Sequence, residues 1–215
     1  MYACVIFDLD GTLLNTLEDL AAAGNHALEI QGLPTHGIEA YKFFIGNGIP
    51  NLIRRMLPEG SDDALQQETL NLFSEYYAAH HSDRTKPYEG IPELLETLHA
   101  RGIKTAVVSN KAHVFSVELI RRFFGERIGL IYGTGNDLPR KPDPTAVFRV
   151  MAELDVQPAE TLYVGDSDVD MRTARNAGLD ACGVLWGFRS EPVLTESGAR
   201  FLARNAGELE RIILT

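Results

Sequence analysis

The sequence is poor in cysteine, in positive charge and in long apolar runs, and each shortage narrows the possibilities. Two cysteines, Cys4 and Cys182, each sit inside an apolar run. That reads as two small buried residues in a reducing compartment, not as a disulfide or a metal pair. Acidic residues number 30 against 20 basic ones, a net charge of −10. This balance argues against nucleic acid or an anionic membrane as the main partner, while leaving room for a local basic pocket. No apolar run is long enough to span a bilayer and no leader is evident, so the expected location is cytoplasmic. The chain carries neither a GxxxxGK[ST] loop nor a GxGxxG run, which argues against ATP use and dinucleotide binding. Internal repeats and low-complexity tracts are also missing.

What remains is the profile of a globular protein. The 215 residues are 45% hydrophobic and 23% charged, enough for one medium domain or a core plus a smaller insert. The chain is organised around Val5-Ile6-Phe7-Asp8-Leu9-Asp10-Gly11-Thr12. An apolar, β-prone run ends on one carboxylate and a second follows two residues later. In an extended chain both point to the same side. Two like charges that close require a cation between them or a proton on one.

Residues 15–85 read as a helical block. One helix is expected over 16–31, with Thr16 as its cap and Glu18 and Asp19 in the first turn. Shorter helices follow over 35–44 and 49–57, and a longer one starts at a Ser61 cap and runs to about residue 81. Beyond residue 86 the pattern alternates. Strands are expected over 103–108, 129–132, 161–164 and 180–185. Helices are expected over 91–101, 111–124, 144–154, 167–177 and 206–214. The fold class is therefore α/β, a doubly wound parallel sheet with a Rossmann-like core and a small helical cap inserted after the first strand. The expected domains are 1–14 with 86–215 as the core, and 15–85 as the cap.

Such sheets bind ligands beyond the carboxyl ends of their strands. Asp8, Ser109-Asn110-Lys111, Gly165-Asp166-Ser167-Asp168 and, after the weakest strand, Arg140-Lys141-Pro142 all fall there. Hard oxygen donors favour Mg²⁺, which accepts phosphate oxygens. Asp8 and Asp166 are the natural ligands, and Asp10 can add its backbone carbonyl. Asp170, one helical turn beyond Asp166, can support them, while Asp168 lies off that face. A carboxylate can attack phosphorus. Ser109 and backbone N–H groups can hold phosphoryl oxygens, Lys141 adds a point charge, and Asp10 can move the proton.

Taken together these segments resemble the haloacid dehalogenase superfamily of phosphohydrolases over nearly the whole chain. Asp8-Leu9-Asp10-Gly11-Thr12 matches its DxDGT motif, Ser109-Asn110 the second motif, Lys141-Pro142 the third, and Gly165-Asp166 with Asp170 the GDxxxD form of the fourth. The resemblance implies Asp8 as nucleophile, Asp10 as acid/base, Ser109 and Lys141 as phosphate ligands, and Asp8, Asp10 and Asp166 as metal ligands. Within the superfamily, Ile45-Gly46-Asn47-Gly48 and the stretch from Gly183 to Phe188 look like the phosphoglycolate phosphatase branch. The implied reaction is Mg²⁺-dependent hydrolysis of a small phosphomonoester, 2-phosphoglycolate first, through an aspartyl-phosphate. A sugar phosphomutase or a pyrophosphatase would use the same groups, and an idle interaction protein of this fold is the reading from another class.

Expected substrate contacts are Ser109, Asn110 and Lys141, with Gly46, Asn47 and Gly48 from the cap. The expected partner is a small phosphorylated metabolite, the chain acting as a monomer or homodimer. Phe43 and Phe44 are expected in the cap core, Arg54 and Arg55 on a solvated helix face, and Trp186 near the last strand. His80-His81 is not expected to form a metal pair, because adjacent helical positions diverge.

Overall fold

A computed structural model describes residues 1–135 and 137–215, and the chain divides into two compact units: Met1–Leu14 with Pro87–Thr215, and Asn15–Lys86. The first unit is a six-stranded sheet. Its strands are β1 (Cys4–Phe7), β4 (Lys104–Ala112), β5 (Leu130–Thr134), β6 (Thr161–Gly165), β7 (Asp180–Val184) and β8 (Phe201–Ala203). Two-residue strands β2 (Leu14–Asn15) and β3 (Lys86–Pro87) lie where the chain passes between units. The sheet order is β5-β4-β1-β6-β7-β8 and every pairing is parallel.

Parallel sheets are covered on both faces, so their central strands are apolar throughout. β1 meets that demand with Cys4, Val5, Ile6 and Phe7 all fully buried. Their alternation assigns them to two cores. Val5 and Phe7 join Leu94, Leu95 and Leu98 of α5 (Ile91–Ala100), Leu119 and Ile120 of α6 (His113–Phe124), and Leu209 and Ile213 of α10 (Ala206–Leu214). Cys4 and Ile6 join Val147, Val150 and Met151 of α7 (Thr145–Leu154), and Met171 and Ala174 of α8 (Asp168–Ala177). Each large apolar side chain buried in this way contributes about 1.5–3 kcal/mol. The strand order reverses at β1: from β4 the chain moves outward to β5, then returns to β6 on the other side of β1. That reversal opens a crevice at the carboxyl ends of β1, β4 and β6.

The second unit holds α1 (Leu17–Ile30), α2 (Ile38–Phe44), α3 (Ile49–Met56) and α4 (Asp63–His80). Its buried residues include Leu28, Tyr41, Leu52, Met56, Phe73 and Tyr77. The Tyr41 hydroxyl donates to Asn25 Oδ1 at 2.9 Å. Asp19, in the first turn of α1, accepts from the backbone N–H groups of Arg84 and Thr85 and from the Thr85 hydroxyl. The end of this unit is thereby tied to its beginning.

Several local expectations are corrected. Thr16 stands at the start of α1, but its hydroxyl makes no capping bond. Asp62 caps α4 by accepting from Leu65 N–H at 2.8 Å, while Ser61 closes a turn onto Pro58 O. Phe43 is 70% exposed and not part of a core. β8 and the short helix α9 (Glu191–Glu196) were not foreseen. Strand β4 runs on to Ala112 through an irregular register between Val108 and Ala112, so Lys111 is a strand residue and α6 starts at His113. No described helix is long and apolar enough to cross a membrane.

Candidate active site

The crevice beside β1 collects buried charge from four segments of the first unit. Asp8 follows β1 directly. Its N–H donates to Val164 O at 2.9 Å, which fixes the strand end against β6. Its Oδ1 accepts from Leu9 N–H at 2.7 Å and from Lys141 Nζ at 2.9 Å. Its Oδ2 makes no hydrogen bond among the described residues. Lys141 comes from the segment between β5 and α7, and its Nζ also reaches Asp170 Oδ1 at 2.7 Å. The Asn110 side chain accepts from Lys141 N–H at 2.9 Å and donates to Lys141 O at 3.2 Å. Thus Asn110, expected as a substrate contact, also holds the lysine's backbone in place.

Asp166 follows β6 and is 1% exposed. Thr12 Oγ1 donates to its Oδ1 at 3.1 Å and Phe188 N–H to its Oδ2 at 2.8 Å. Ser167 caps α8, and Asp170 returns the bond by accepting from Ser167 N–H and Oγ at 3.0 and 2.6 Å. A helical turn therefore carries Asp170 back beside Asp166. Gly11 permits the close approach of Asp166. Its φ is +84°, and a Cβ there would lie 2.3 Å from Asp166 Oδ2. Asp8, Asp166 and Asp170 each present an oxygen, all within 4.8 Å of one another.

Asp10, expected on the same side as Asp8, has a partner that was not foreseen: Lys111 Nζ lies 3.0 and 3.3 Å from its two oxygens. Lys111 is 4% exposed, and the sequence reading missed it because it placed the residue at a helix start. The signal available was a lysine directly after Ser-Asn at a strand end. Ser109 is buried at the same end, its Oγ accepting from Lys111 N–H at 3.3 Å. Asp168 pairs outward with Arg172. Gly46, Asn47 and Gly48 belong to the second unit, in the turn between α2 and α3.

The electrostatics of this edge leave a surplus. Four carboxyl groups face two ammonium groups, so when all four are ionised two negative charges stay uncompensated. Burial pushes the Asp8 carboxyl up to about 6; Lys141 opposes the rise, and Asp170 and Asp10 add to it. Burial also lifts Asp166 well above the usual carboxylate range, reinforced by Asp170 and Asp8. No ammonium or guanidinium group among the described residues pairs with Asp166. Burial disfavours charge on Lys141, but Asp170 and Asp8 outweigh it and hold the ammonium well above its ordinary value. Hard oxygen donors with a net charge of −2 fit one divalent cation in charge and donor chemistry. Asp8 Oδ2 is the oxygen left for an electrophile.

A parallel sheet whose switch point gathers carboxylates around an anchoring lysine belongs to the class of α/β phosphohydrolases. Residues 5–184 match the haloacid dehalogenase-like hydrolase family. The phosphoglycolate phosphatase of Pseudomonas putida is 38% identical over 201 residues, covering 90% of this chain and 73% of that one. The phosphoglycolate phosphatase of Vibrio parahaemolyticus is 32% identical over 222 residues, covering 97% and 95%. Among solved structures, a protein of Lactobacillus delbrueckii subsp. bulgaricus, provisionally named a phosphoglycolate phosphatase, superposes with a TM-score of 0.94 at 33% identity over 99% of this chain and 98% of that one. The chain belongs to the haloacid dehalogenase-like hydrolases and is a phosphoric monoester hydrolase of that family.

Proposed function

We propose that the protein hydrolyses 2-phosphoglycolate to glycolate and phosphate, with Mg²⁺, through an aspartyl-phosphate on Asp8. The observation that carries this reading is the Asp8 carboxylate, held through Oδ1 by Lys141 and Leu9 N–H beside two further buried carboxylates. The printed names of the relatives at 32–38% identity support the choice of ester.

Asp8 Oδ2 attacks phosphorus as the ester P–O bond breaks, and the leaving oxygen takes a proton from Asp10. A water then attacks phosphorus, Asp10 receives its proton, and the bond from phosphorus to Asp8 breaks to release phosphate. Lys141 and the Ser109 hydroxyl hold the phosphoryl oxygens. Asp8, Asp166 and the Asp10 carbonyl would hold Mg²⁺, with Asp170 in support; the ion supplies positive charge against the phosphoryl oxygens. In the substrate-free protein the Lys111 ammonium pairs with Asp10 at 3.0 Å and so fixes where that carboxyl group sits relative to Asp8. We assign the role of cap, and with it the choice of substrate, to the helical unit. Gly46, Asn47 and Gly48 serve as its contact turn on the strength of the sequence resemblance.

The test is phosphate release from a panel of 2-phosphoglycolate, sugar phosphates, pyrophosphate and nucleotides, with Mg²⁺ and with EDTA. The expected result is a kcat/KM for 2-phosphoglycolate at least about 100-fold above the others, lost in EDTA. A higher value for pyrophosphate overturns the substrate assignment. So does conversion of a sugar 1-phosphate to its 6-phosphate without phosphate release. Undiminished turnover in EDTA overturns the metal.

A further inference from the structure

The stretch from Gly183 to Phe188 stood out in the sequence by resemblance alone, with no chemistry attached. The parallel register pairs Val164 with Cys182 and Gly165 with Gly183. The residues just after β7 are therefore level with Asp166, just after β6. The chain continues there in close contact with Asp166. Phe188 N–H donates to Asp166 Oδ2 at 2.8 Å. A Cβ on Gly187 would lie 2.2 Å from Asp166 Cβ and 2.5 Å from Gly11 O. The Trp186 indole N–H donates to Thr12 O at 3.0 Å, and Thr12 in turn donates its hydroxyl to Asp166 Oδ1 at 3.1 Å.

We infer that Trp186, Gly187 and Phe188 are a positioning element for Asp166, setting the carboxylate plane and through it the affinity for the divalent cation. One donor on each oxygen removes the freedom of the carboxylate to rotate. Each oxygen keeps a second lone pair for a cation. Trp186 acts at one remove, since it holds the Thr12 backbone that presents the second donor. Gly187 acts by bulk, because only hydrogen fits between the Asp166 side chain and Gly11 O. A ligand held in place before the ion arrives loses less freedom on binding, and groups that orient a ligand typically account for about 10- to 100-fold in metal affinity.

The inference rests on the reading of Asp166 as a metal ligand, so the experiment separates the two. Mn²⁺ is titrated by electron paramagnetic resonance into the wild type, Trp186→Phe, Gly187→Ala and Asp166→Asn. Thermal unfolding in EDTA is recorded alongside. Trp186→Phe keeps an aromatic ring at this position but loses the N–H, together with part of the packing of the indole against its neighbours. The expected result is Mn²⁺ binding about 10-fold weaker for Trp186→Phe and about 100-fold weaker for Gly187→Ala. The unfolding temperature of Trp186→Phe in EDTA falls by only roughly 2–4 °C, the cost of the lost packing, so the variant is fully folded during the titration. Should Gly187→Ala fail to fold, Trp186→Phe decides alone. Wild-type Mn²⁺ affinity in Trp186→Phe, with binding lost in Asp166→Asn, overturns the inference and leaves the metal reading standing. Wild-type affinity in Asp166→Asn overturns the metal reading, and the inference falls with it.

Discussion

Two buried aspartates in the two units make a natural comparison. Asp19 in the helical unit is 3% exposed and Asp166 in the α/β unit is 1% exposed. Asp19 sits in the first turn of a helix, where the dipole favours negative charge. It accepts from two backbone N–H groups and one hydroxyl. Asp166 has two donors against the three of Asp19, and lies with Asp8 and Asp170, three carboxylates sharing one small volume. The first carboxylate is surrounded by donors and the second by like charges. Burial is the same, yet Asp19 holds a chain end in place, while Asp166 belongs to a cluster under electrostatic tension that a ligand relieves. Depth of burial therefore does not separate structure from function here; the sign of the neighbours does.

The largest expected effect comes from Asp8→Asn. Loss of the nucleophile lowers kcat by about 10⁴-fold or more. Stability in EDTA is unchanged or higher, because one member of a like-charged group is gone. Phosphate release and a thermal melt in EDTA check both halves. A sharp loss of stability would place Asp8 in the same category as Asp19 and break the comparison.

Asp19→Ala should do the reverse. It strands the N–H groups of Arg84 and Thr85 and costs about 3 kcal/mol. For a chain of this size that corresponds to a fall of roughly 6–12 °C in Tm. Amide exchange at Arg84 and Thr85 should accelerate, while Asp19→Asn, which keeps one acceptor oxygen, falls between. Next in size is the response to the cation. Mg²⁺ at about 100 times its Kd stabilises the wild type by about 2.7 kcal/mol. Asp166→Asn abolishes that gain and Asp19→Asn keeps it. A gain that survives in Asp166→Asn removes the distinction drawn between the two aspartates.

The same distinction explains what could be read from the sequence. The sheet was legible because β1, β6 and β7 are short apolar runs that stop on Asp8, Asp166 and a Gly-rich end, and because helices alternate with them at regular spacing. Asp8, Asp166 and Asp170 were legible because spacing fixes direction at a strand end and over one helical turn. Lys111 was not, since its position depends on an irregular strand register that no local pattern announces. The bonds from Asn110 to Lys141 were not legible either, because a side chain bonded to a backbone 31 residues away leaves no local signature. β8 has three residues and α9 six, too few for periodicity to register. Phe43 was read as core because hydrophobicity alone carries no direction, and its exposure is a property of the tertiary structure.

Asp180 provides the intermediate case and the smallest effect. It begins β7 at the surface, where Arg200 Nη1 donates to both of its oxygens at 2.6 Å and Tyr2 OH donates at 2.7 Å. Burial alone would raise its carboxyl. The bonds from Arg200 and Tyr2 outweigh burial and hold it below the usual value. A carboxyl depressed on folding contributes stability that is fully present above its unfolded value of about 3.9 and is lost as pH falls through the folded value. Asp180→Asn should therefore lower Tm at pH 7 by only a degree or two, roughly what a solvent-exposed pair supplies. The gap should shrink below about pH 3. Asp180, like Asp19, has donors for neighbours, but water shares the work. An effect as large as that of Asp19→Ala would mean that donor count, and not burial with donors, sets the value of a structural carboxylate in this protein.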